Sequence, residues 1–420
     1  MPVVGIVAEY NPFHNGHLYH LHQAKRLTSA DGVVCVMSGN FVQRGGPAVV
    51  SKWARAEMAL KSGADLVFEL PFCFAVRSAY HFARSAIQLL ERTGVVTHVC
   101  FGAETENLGL LQRIAAVLQD EPAEFRAAIK TFLSRGDSFP LARAKAMSQY
   151  FHRQIPDIDP EAVFHTLTGP NNILAVEYLR VLQETKSTLQ PVIIPRRQSS
   201  YHGLQLTRYA SATAIRQTLA QPNWEDMVSH CLPSTSLNIL GREFACGRGP
   251  VFENTMGPVI LALLRRSATD EIARLYDVTE GLENRIKKAA HESNSLAELK
   301  KSIKTKRYNL TRINRILLYV LTNLTKEKVK VFDETGPVYL RLLGFSPFGQ
   351  KILQKIKTNQ GIFLVNRVKQ VQQLLPHNRY PVARQMLDLD FMATDLYSIF
   401  LAEPHRKGGK DYTTSPVFLS

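Results

Sequence analysis

The chain has 420 residues, 45% hydrophobic and 21% charged, an ordinary globular composition with enough length for two or three domains. No apolar run reaches the roughly 20 residues that span a bilayer. The opening Met1-Pro2-Val3-Val4-Gly5 lacks the basic start and small-residue cleavage site of a signal peptide, so a cytoplasmic protein without a membrane partner is expected. The formal net charge of +15 is uneven: residues 1–220 hold 22 Lys and Arg against 17 Asp and Glu, residues 221–420 hold 29 against 19, and 285–330 alone carries 13 against 3. Such a half suits a polyanionic partner, or it is a solvated basic face.

In chain order, Val3–Ala8 reads as a buried parallel strand and Leu18–Leu27 as a helix. Gly32–Met37 is a second strand. Ser51 reads as the N-cap of a helix that Gly63 closes. Leu66–Leu70 is a third strand, Tyr80–Leu90 a helix and Val96–Phe101 a fourth strand. Helical spacing fills 107–151 and 171–185; Val192–Ile194 is a fifth strand, and Ser211–Leu219 a helix. Strands separated by helices predict an α/β, doubly wound parallel sheet. Beyond 222 helical spacing dominates, over 258–276, 279–292, 294–305, 310–323, 336–344, 349–357, 364–375 and 380–402. The expected organisation is a nucleotide-binding domain over 1–221, a basic, mostly α-helical domain over 222–404 and a loosely held tail over 405–420.

Five cysteines, Cys35, Cys73, Cys100, Cys231 and Cys246, form no CxxC or other short metal spacing. Buried thiols are expected, with no zinc and no disulfide.

The chemistry concentrates after the first strand. Glu9-Tyr10-Asn11-Pro12-Phe13-His14-Asn15-Gly16-His17 is a loop that opens a helix, and a helix N-terminus favours phosphate through its free N–H groups and dipole. His14 and His17, at i and i+3, share a face of the first turn. As paired donors at an α-phosphate they would stabilise the transition state of adenylyl transfer, with no protein nucleophile needed. Gly16 between them would let a nucleotide approach the backbone. The side chains of His20 and His22 lack this geometry and read as structural.

His14-Asn15-Gly16-His17 after a first strand resembles the signature of the nucleotidyltransferase superfamily. Ser211-Ala212-Thr213-Ala214-Ile215-Arg216 resembles its second element. That implies a capping Ser211 and an Arg216 that reaches the β- and γ-phosphates, with His14, His17 and Arg216 catalytic. Ser38–Ala48 (Ser-Gly-Asn-Phe-Val-Gln-Arg-Gly-Gly-Pro-Ala), Lys52-Trp53-Ala54-Arg55, Gly63–Pro71, Phe101–Glu104, Pro170–Ala175 and Tyr339–Phe345 are similar to the bacterial tRNA(Met) cytidine acetate ligase family. The similarity covers nearly the whole chain. It departs at Gly46 and Ser51, where acidic residues are expected. The resemblance implies an enzyme that makes acetyl-adenylate from ATP and acetate, not from acetyl-coenzyme A. It would then acetylate N4 of the wobble cytidine of elongator tRNA(Met).

Residue by residue, Val7, Ala8, Glu9, Tyr10, Asn11, Pro12, Phe13, His14, Asn15, Gly16, His17, Leu18, Tyr19 and His20 are expected around ATP. Gly102 would pack under it, and Asn171, Arg196, Arg197 and Ser211 would complete the site. Magnesium would accompany the ATP. Asp65 and Glu69, flanking the third strand, would order basic side chains rather than act as bases. Ser38, Gly39, Asn40, Gln43, Arg44, Lys52 and Arg55 form a candidate substrate loop and its flank; the alternative for the loop is an ordinary mobile surface, and the last two could equally be solvated. Lys300, Lys301, Lys304, Lys306, Arg307, Arg312 and Arg315 would bind tRNA phosphates, with Tyr308 either a stacking platform or core. No obligate protein partner is expected. The rival readings are an adenylyltransferase of a small phosphorylated precursor, which needs no basic half, and a nucleotide-regulated RNA-binding protein without chemistry.

Overall fold

Alternation with period two sorts the strand side chains onto opposite faces of one sheet. Val34 and Val36 join the core on one side, Val33 and Cys35 that on the other. The computed structural model describes residues 1–196, 206–358, 362–366 and 381–419. β1 (Val3–Ala8), β2 (Gly32–Ser38), β3 (Leu66–Leu70), β4 (His98–Ala103) and β5 (Gln190–Pro195) are the five expected strands. They pair in parallel, with Val7 opposite Val36 and Cys100 opposite Val192. The sheet order is β5-β4-β1-β2-β3-β6-β7, with β8 beside β6. The chain steps from β1 through β2 to β3, then crosses back to lay β4 on the other side of β1. This reversal opens a crevice beyond the carboxyl ends of β1 and β4, where doubly wound sheets take ligands. Helices Ala79–Arg92 and Pro170–Glu184 bury one face of the sheet; Asn15–Leu27, Lys52–Lys61 and Ser234–Ala245 cover the other.

After residue 222 the chain is largely helical, including Leu282–Glu292, Leu296–Ile303, Leu310–Thr322, Lys326–Thr335 and Pro381–Ser398. Two expectations fail. The helix expected over 336–344 is strand β6 (Tyr339–Phe345), antiparallel to β3 with Leu342 opposite Phe68. Its first six side chains are buried, so burial on both faces erases the alternation that would have identified it. The helix expected over 364–375 begins instead in β7 (Phe363–Val365), and 367–375 lies outside the described residues. The eight-stranded sheet therefore takes strands from both sides of residue 222.

The tail is the other departure. Residues 410–413 form a helical turn, and β8 (Val417–Phe418) pairs with β6. Asp411 is 1% exposed. Its Oδ1 accepts from Lys52 Nζ at 2.8 Å and from Arg341 Nη2 at 2.6 Å. Glu69 meets the same two cations at 2.8 and 3.2 Å. Two buried cations and two carboxylates thus balance one another and hold 405–419 in place. Cys35, Cys73, Cys100 and Cys231 are buried, as expected; Cys246 is exposed.

Candidate active site

The helix Asn15–Leu27 starts at the carboxyl end of β1, and His14 is its N-cap. Gly16 N–H donates to His14 Nδ1 at 3.0 Å, and His14 N–H donates to His17 Nδ1 at 3.3 Å. Each imidazole therefore accepts at Nδ1. Burial drives the pKa of His14 down to about 3, helped by Arg196 and Arg216. Burial likewise holds His17 well below its ordinary value, with His14 and Arg196 adding to the shift. Both rings are neutral at pH 7, so the single proton of each sits on Nε2. The rings stack with centroids 3.7 Å apart at the start of the helix, and a hydrogen bond to the Pro12 backbone is the one contribution that raises the His17 value. Tyr10 and Phe13 clamp His17 from behind, at ring distances of 5.0 and 5.6 Å. Tyr10 takes φ +47, an uncommon conformation for a bulky residue, next to this cap.

A Cβ at Gly16 would lie 2.8 Å from His14 Cε1. Its first service is thus to the His14 ring, a tighter demand than the close nucleotide approach expected from sequence. Asn15 faces outward from the cap: its N–H donates to the Cys231 carbonyl and its Nδ2 to the His230 carbonyl.

The second motif arrives at the same place. Ser211 Oγ accepts from Ala214 N at 3.1 Å and caps the helix Ala212–Thr218. Arg216 then donates Nη1 to the Asn11 carbonyl at 2.9 Å and Nη2 to Thr213 Oγ1. Two motifs about 200 residues apart in sequence are joined by this bond. Asn11 in turn accepts from Val49 N, and Glu9 from Gln43 N at 2.7 Å, which ties the first loop to the second.

Across the crevice, a Cβ at Gly102 would come 3.4 Å from Arg196 Cγ and 3.8 Å from His20 Cδ2. Burial takes the His20 pKa down to about 4, and Arg196 adds to the shift. Arg196 donates to Asn171 Oδ1 at 3.0 Å. Behind Asn171 stands Glu104, the last residue of the Phe101–Glu104 segment and not among the expected site residues. Its carboxylate accepts from Asn171 Nδ2 at 2.5 Å, from Asn171 N at 3.2 Å and from Asn172 N at 2.7 Å. Asn172 Oδ1 accepts from Glu104 N in return. An acidic residue just past a strand, facing the start of a Pro-initiated helix, was the available signal. Arg197 lies outside the described residues.

The second loop is less open than expected. Ser38 and Asn40 are buried, and Asn40 Oδ1 accepts from Lys52 N. A Cβ at Gly39 would meet Glu69 Oε1. Lys52 and Arg55 are neither ligand-facing nor solvated: both are 0% exposed. Lys52 is spent on Glu69 and Asp411, while Arg55 donates to the carbonyls of Glu9, Ser38, Gly39 and Val50. Arg55 thereby staples the end of β1 to the end of β2. As expected, Glu69 orders cations; Asp65 instead accepts from Val33 N and Ser346 Oγ. Only Arg44 stands exposed at the tip.

The basic stretch divides. Lys300 pairs with Glu253, Arg307 with Glu280 and Arg312 with Asp277. Lys301, Lys304 and Lys306 are exposed with no ion pair among the described residues. Tyr308 is 7% exposed, its ring under the Arg312 guanidinium, and so belongs to the core side of its two readings. Among the described residues no three His, Cys, Asp or Glu side chains are grouped to hold a metal, and no helix is long and apolar enough to cross a membrane.

Known proteins resemble this one along its whole length. The family model HIGH Nucleotidyl Transferase matches residues 1–411. The tRNA(Met) cytidine acetate ligase of Syntrophomonas wolfei is 49% identical over 99% of both chains, and that of Acetivibrio thermocellus 40% identical over 100% of both. The crystal structure of Thermotoga maritima TmcAL bound with alpha-thio ATP superposes with a TM-score of 0.93 at 38% identity, covering 100% of both chains.

Proposed function

This chain belongs to the HIGH nucleotidyl transferase family and to its tRNA(Met) cytidine acetate ligases, and from that premise we propose that it joins acetate to tRNA(Met) in two steps at the β1/β4 crevice. ATP is the energy source, in keeping with the alpha-thio ATP held by the Thermotoga maritima relative. In the first step an acetate oxygen attacks the α-phosphorus, the bond to the β-phosphate oxygen breaks and pyrophosphate leaves. In the second, N4 of the wobble cytidine of elongator tRNA(Met) attacks the acetyl carbon. The carbonyl carbon–oxygen bond breaks, AMP leaves and N4 loses a proton. The product is N4-acetylcytidine.

The observation that carries this reading is the pair of neutral, stacked imidazoles with Nε2–H donors beside Arg216. Such fixed donors stabilise the charge that builds on the phosphate oxygens, and preorganisation spares the reorganisation that water would need. Arg216 takes the β- and γ-phosphates that leave as pyrophosphate. Arg196 and Asn171, held by Glu104, take the ribose side, and Gly102 leaves room for adenine or ribose. Magnesium travels with the triphosphate and offsets its charge. Residues 1–221 carry the adenylate chemistry, the basic helices over 222–404 carry the tRNA, and the enzyme works in the cytoplasm.

Acetate-dependent exchange of labelled pyrophosphate into ATP, followed by transfer of labelled acetate to tRNA, tests the whole reading. His14→Ala should lower exchange by roughly 10²–10³-fold while tRNA still binds. Exchange driven by other acids with no label in tRNA would redirect the assignment to a small-molecule substrate.

A further inference from the structure

Acetate attacks ATP as an anion, so only the second step has a proton to dispose of, and few groups at the crevice can take one. His14 and His17 each accept at Nδ1 and carry their proton on Nε2, which leaves neither ring a lone pair. His20 Nε2 is buried away from water. The Glu104 carboxylate is filled by Asn171 and Asn172, and Glu69 by Lys52 and Arg341. Arg196 and Arg216 are guanidinium cations, which keep their protons.

Glu9 is the first residue past β1, between the strand end and the turn that leads to the His14 cap, and it is half-buried, so water reaches it. Its carbonyl accepts from Arg55 Nη1, which fixes the backbone. Its Oε1 accepts from Gln43 N at 2.7 Å, which fixes the side chain against the second loop. Among the described residues no hydrogen bond reaches Oε2. Burial lowers the Arg216 pKa and the Glu9 charge opposes that shift. Burial raises the Tyr178 pKa and the Glu9 charge adds to it. Arg216 is bonded to the Asn11 carbonyl, and Tyr178 packs on Phe101 of β4 with ring centroids 5.3 Å apart. The carboxylate thus lies inside the crevice, between its phosphate side and its β4 wall, with one oxygen pinned and the other open. A carboxylate repels a triphosphate, so the open oxygen suits a donor. The exocyclic amine of cytosine is such a donor, whereas uracil presents an oxygen at the same place.

Resting on the tRNA acetylation reading, we propose that Glu9 is the general base of the second step: Oε2 accepts a hydrogen bond from N4 of the target cytidine and takes its proton as N4 bonds to the acetyl carbon. The nitrogen lone pair forms the new carbon–nitrogen bond. The carbonyl carbon–oxygen bond breaks and its electron pair leaves with AMP. The N4–H electron pair stays on nitrogen while the proton passes to Oε2. Once the product departs, the half-buried carboxylic acid returns that proton to water. Gln43 N, by holding Oε1, keeps the accepting oxygen turned toward the base.

Glu9→Gln keeps the shape and an oxygen for Gln43 N, but its amide cannot take the proton. Single-turnover transfer from acetyl-adenylate to tRNA should fall roughly 10²–10⁴-fold, the range of a lost general base, and at least about tenfold further than acetate-dependent pyrophosphate exchange. Exchange that survives in the variant shows that it is folded and binds ATP. The Kd for tRNA should stay within about threefold, since phosphates supply most of the affinity. A residue that merely anchors the second loop would tolerate glutamine, so transfer close to wild type would overturn the base and leave the departing AMP to take the proton. Equal losses in exchange and transfer would overturn it too, in favour of a role at ATP or its magnesium. Wild-type enzyme without acetate-dependent exchange would overturn the function itself, and is read before any variant.

Discussion

Removing one carboxylate from the buried four-charge cluster should destabilise the protein far more than removing its uncharged neighbour. In Asp411→Asn the Lys52 and Arg341 cations keep only Glu69, so one net positive charge is stranded among side chains that are 0–5% exposed. Burial raises the Asp411 pKa, but Lys52 and Arg341 outweigh it and hold the carboxyl below its ordinary value, so the native group is charged. Breaking a buried pair from one side costs about 3–5 kcal/mol, chiefly the uncompensated charge. The asparagine oxygen still accepts one bond, which places the expectation near the lower end, about 3 kcal/mol. Asp390 is the internal control. Burial and then Glu69 push its pKa up to about 8, so it is largely protonated at pH 7. It accepts from Phe72 N at 2.7 Å and shares a hydrogen bond with Tyr339 at 2.5 Å. Asp390→Asn preserves shape and neutrality and should cost about 1 kcal/mol or less. Equilibrium urea unfolding at pH 7, followed by near-ultraviolet circular dichroism, measures both. Equal losses in the two variants, or a loss below about 1 kcal/mol in Asp411→Asn, would refute the charge argument.

The remaining predictions concern the site. Glu104→Gln cannot accept from all three donors it now serves, so Asn171 and Arg196 lose their aim; KM for ATP should rise roughly tenfold with kcat within about threefold, and a kcat loss without a KM change would contradict a positioning role. Lys301→Glu with Lys304→Glu should raise KM for tRNA and flatten the dependence of log K on log salt by roughly 2, as measured by filter binding; an unchanged salt slope would place the RNA elsewhere. Folded His14 titrates at about 3 against its ordinary 6.5, so between these values the unfolded chain binds a proton that the fold refuses. The depressed value means that stability is fully present above pH 6.5 and is lost as pH falls toward 3. His14→Gln should remove up to about 1.4 kcal/mol per pH unit from that slope, and urea midpoints at pH 7 and 5 that shift equally in both proteins would count against a neutral His14.

Much of the fold was legible because its strands are short apolar runs closed by turn residues. The histidine pair was legible because it directly follows the first of them. β6 was not, since a strand buried on both faces loses its period and Tyr339–Phe345 then passes for a helix. Lys52 and Arg55 read as ligand-facing or solvated, and not as buried, for a related reason. A helix pattern shows which residues are charged, but their partners, Glu69, Asp411 and the carbonyls of Glu9 and Ser38, come from elsewhere in the chain. Glu104 escaped because its role lies in three hydrogen bonds to a helix start that sequence places 67 and 68 residues away.

The antiparallel pairing of β6 with β3 also bears on how this chain avoids sticking to itself. Leu66–Leu70 is buried over all five residues, and its outer backbone edge is satisfied only by residues 339–345. Until that segment arrives, a nascent or truncated chain presents a bare apolar strand edge, the template on which chains pair and aggregate. Pieces cut near residue 222 would carry the histidine motif and this uncovered edge together. A soluble stand-in for the catalytic half therefore has to bring β6 with it, or carry a charge or proline on β3 that blunts the edge.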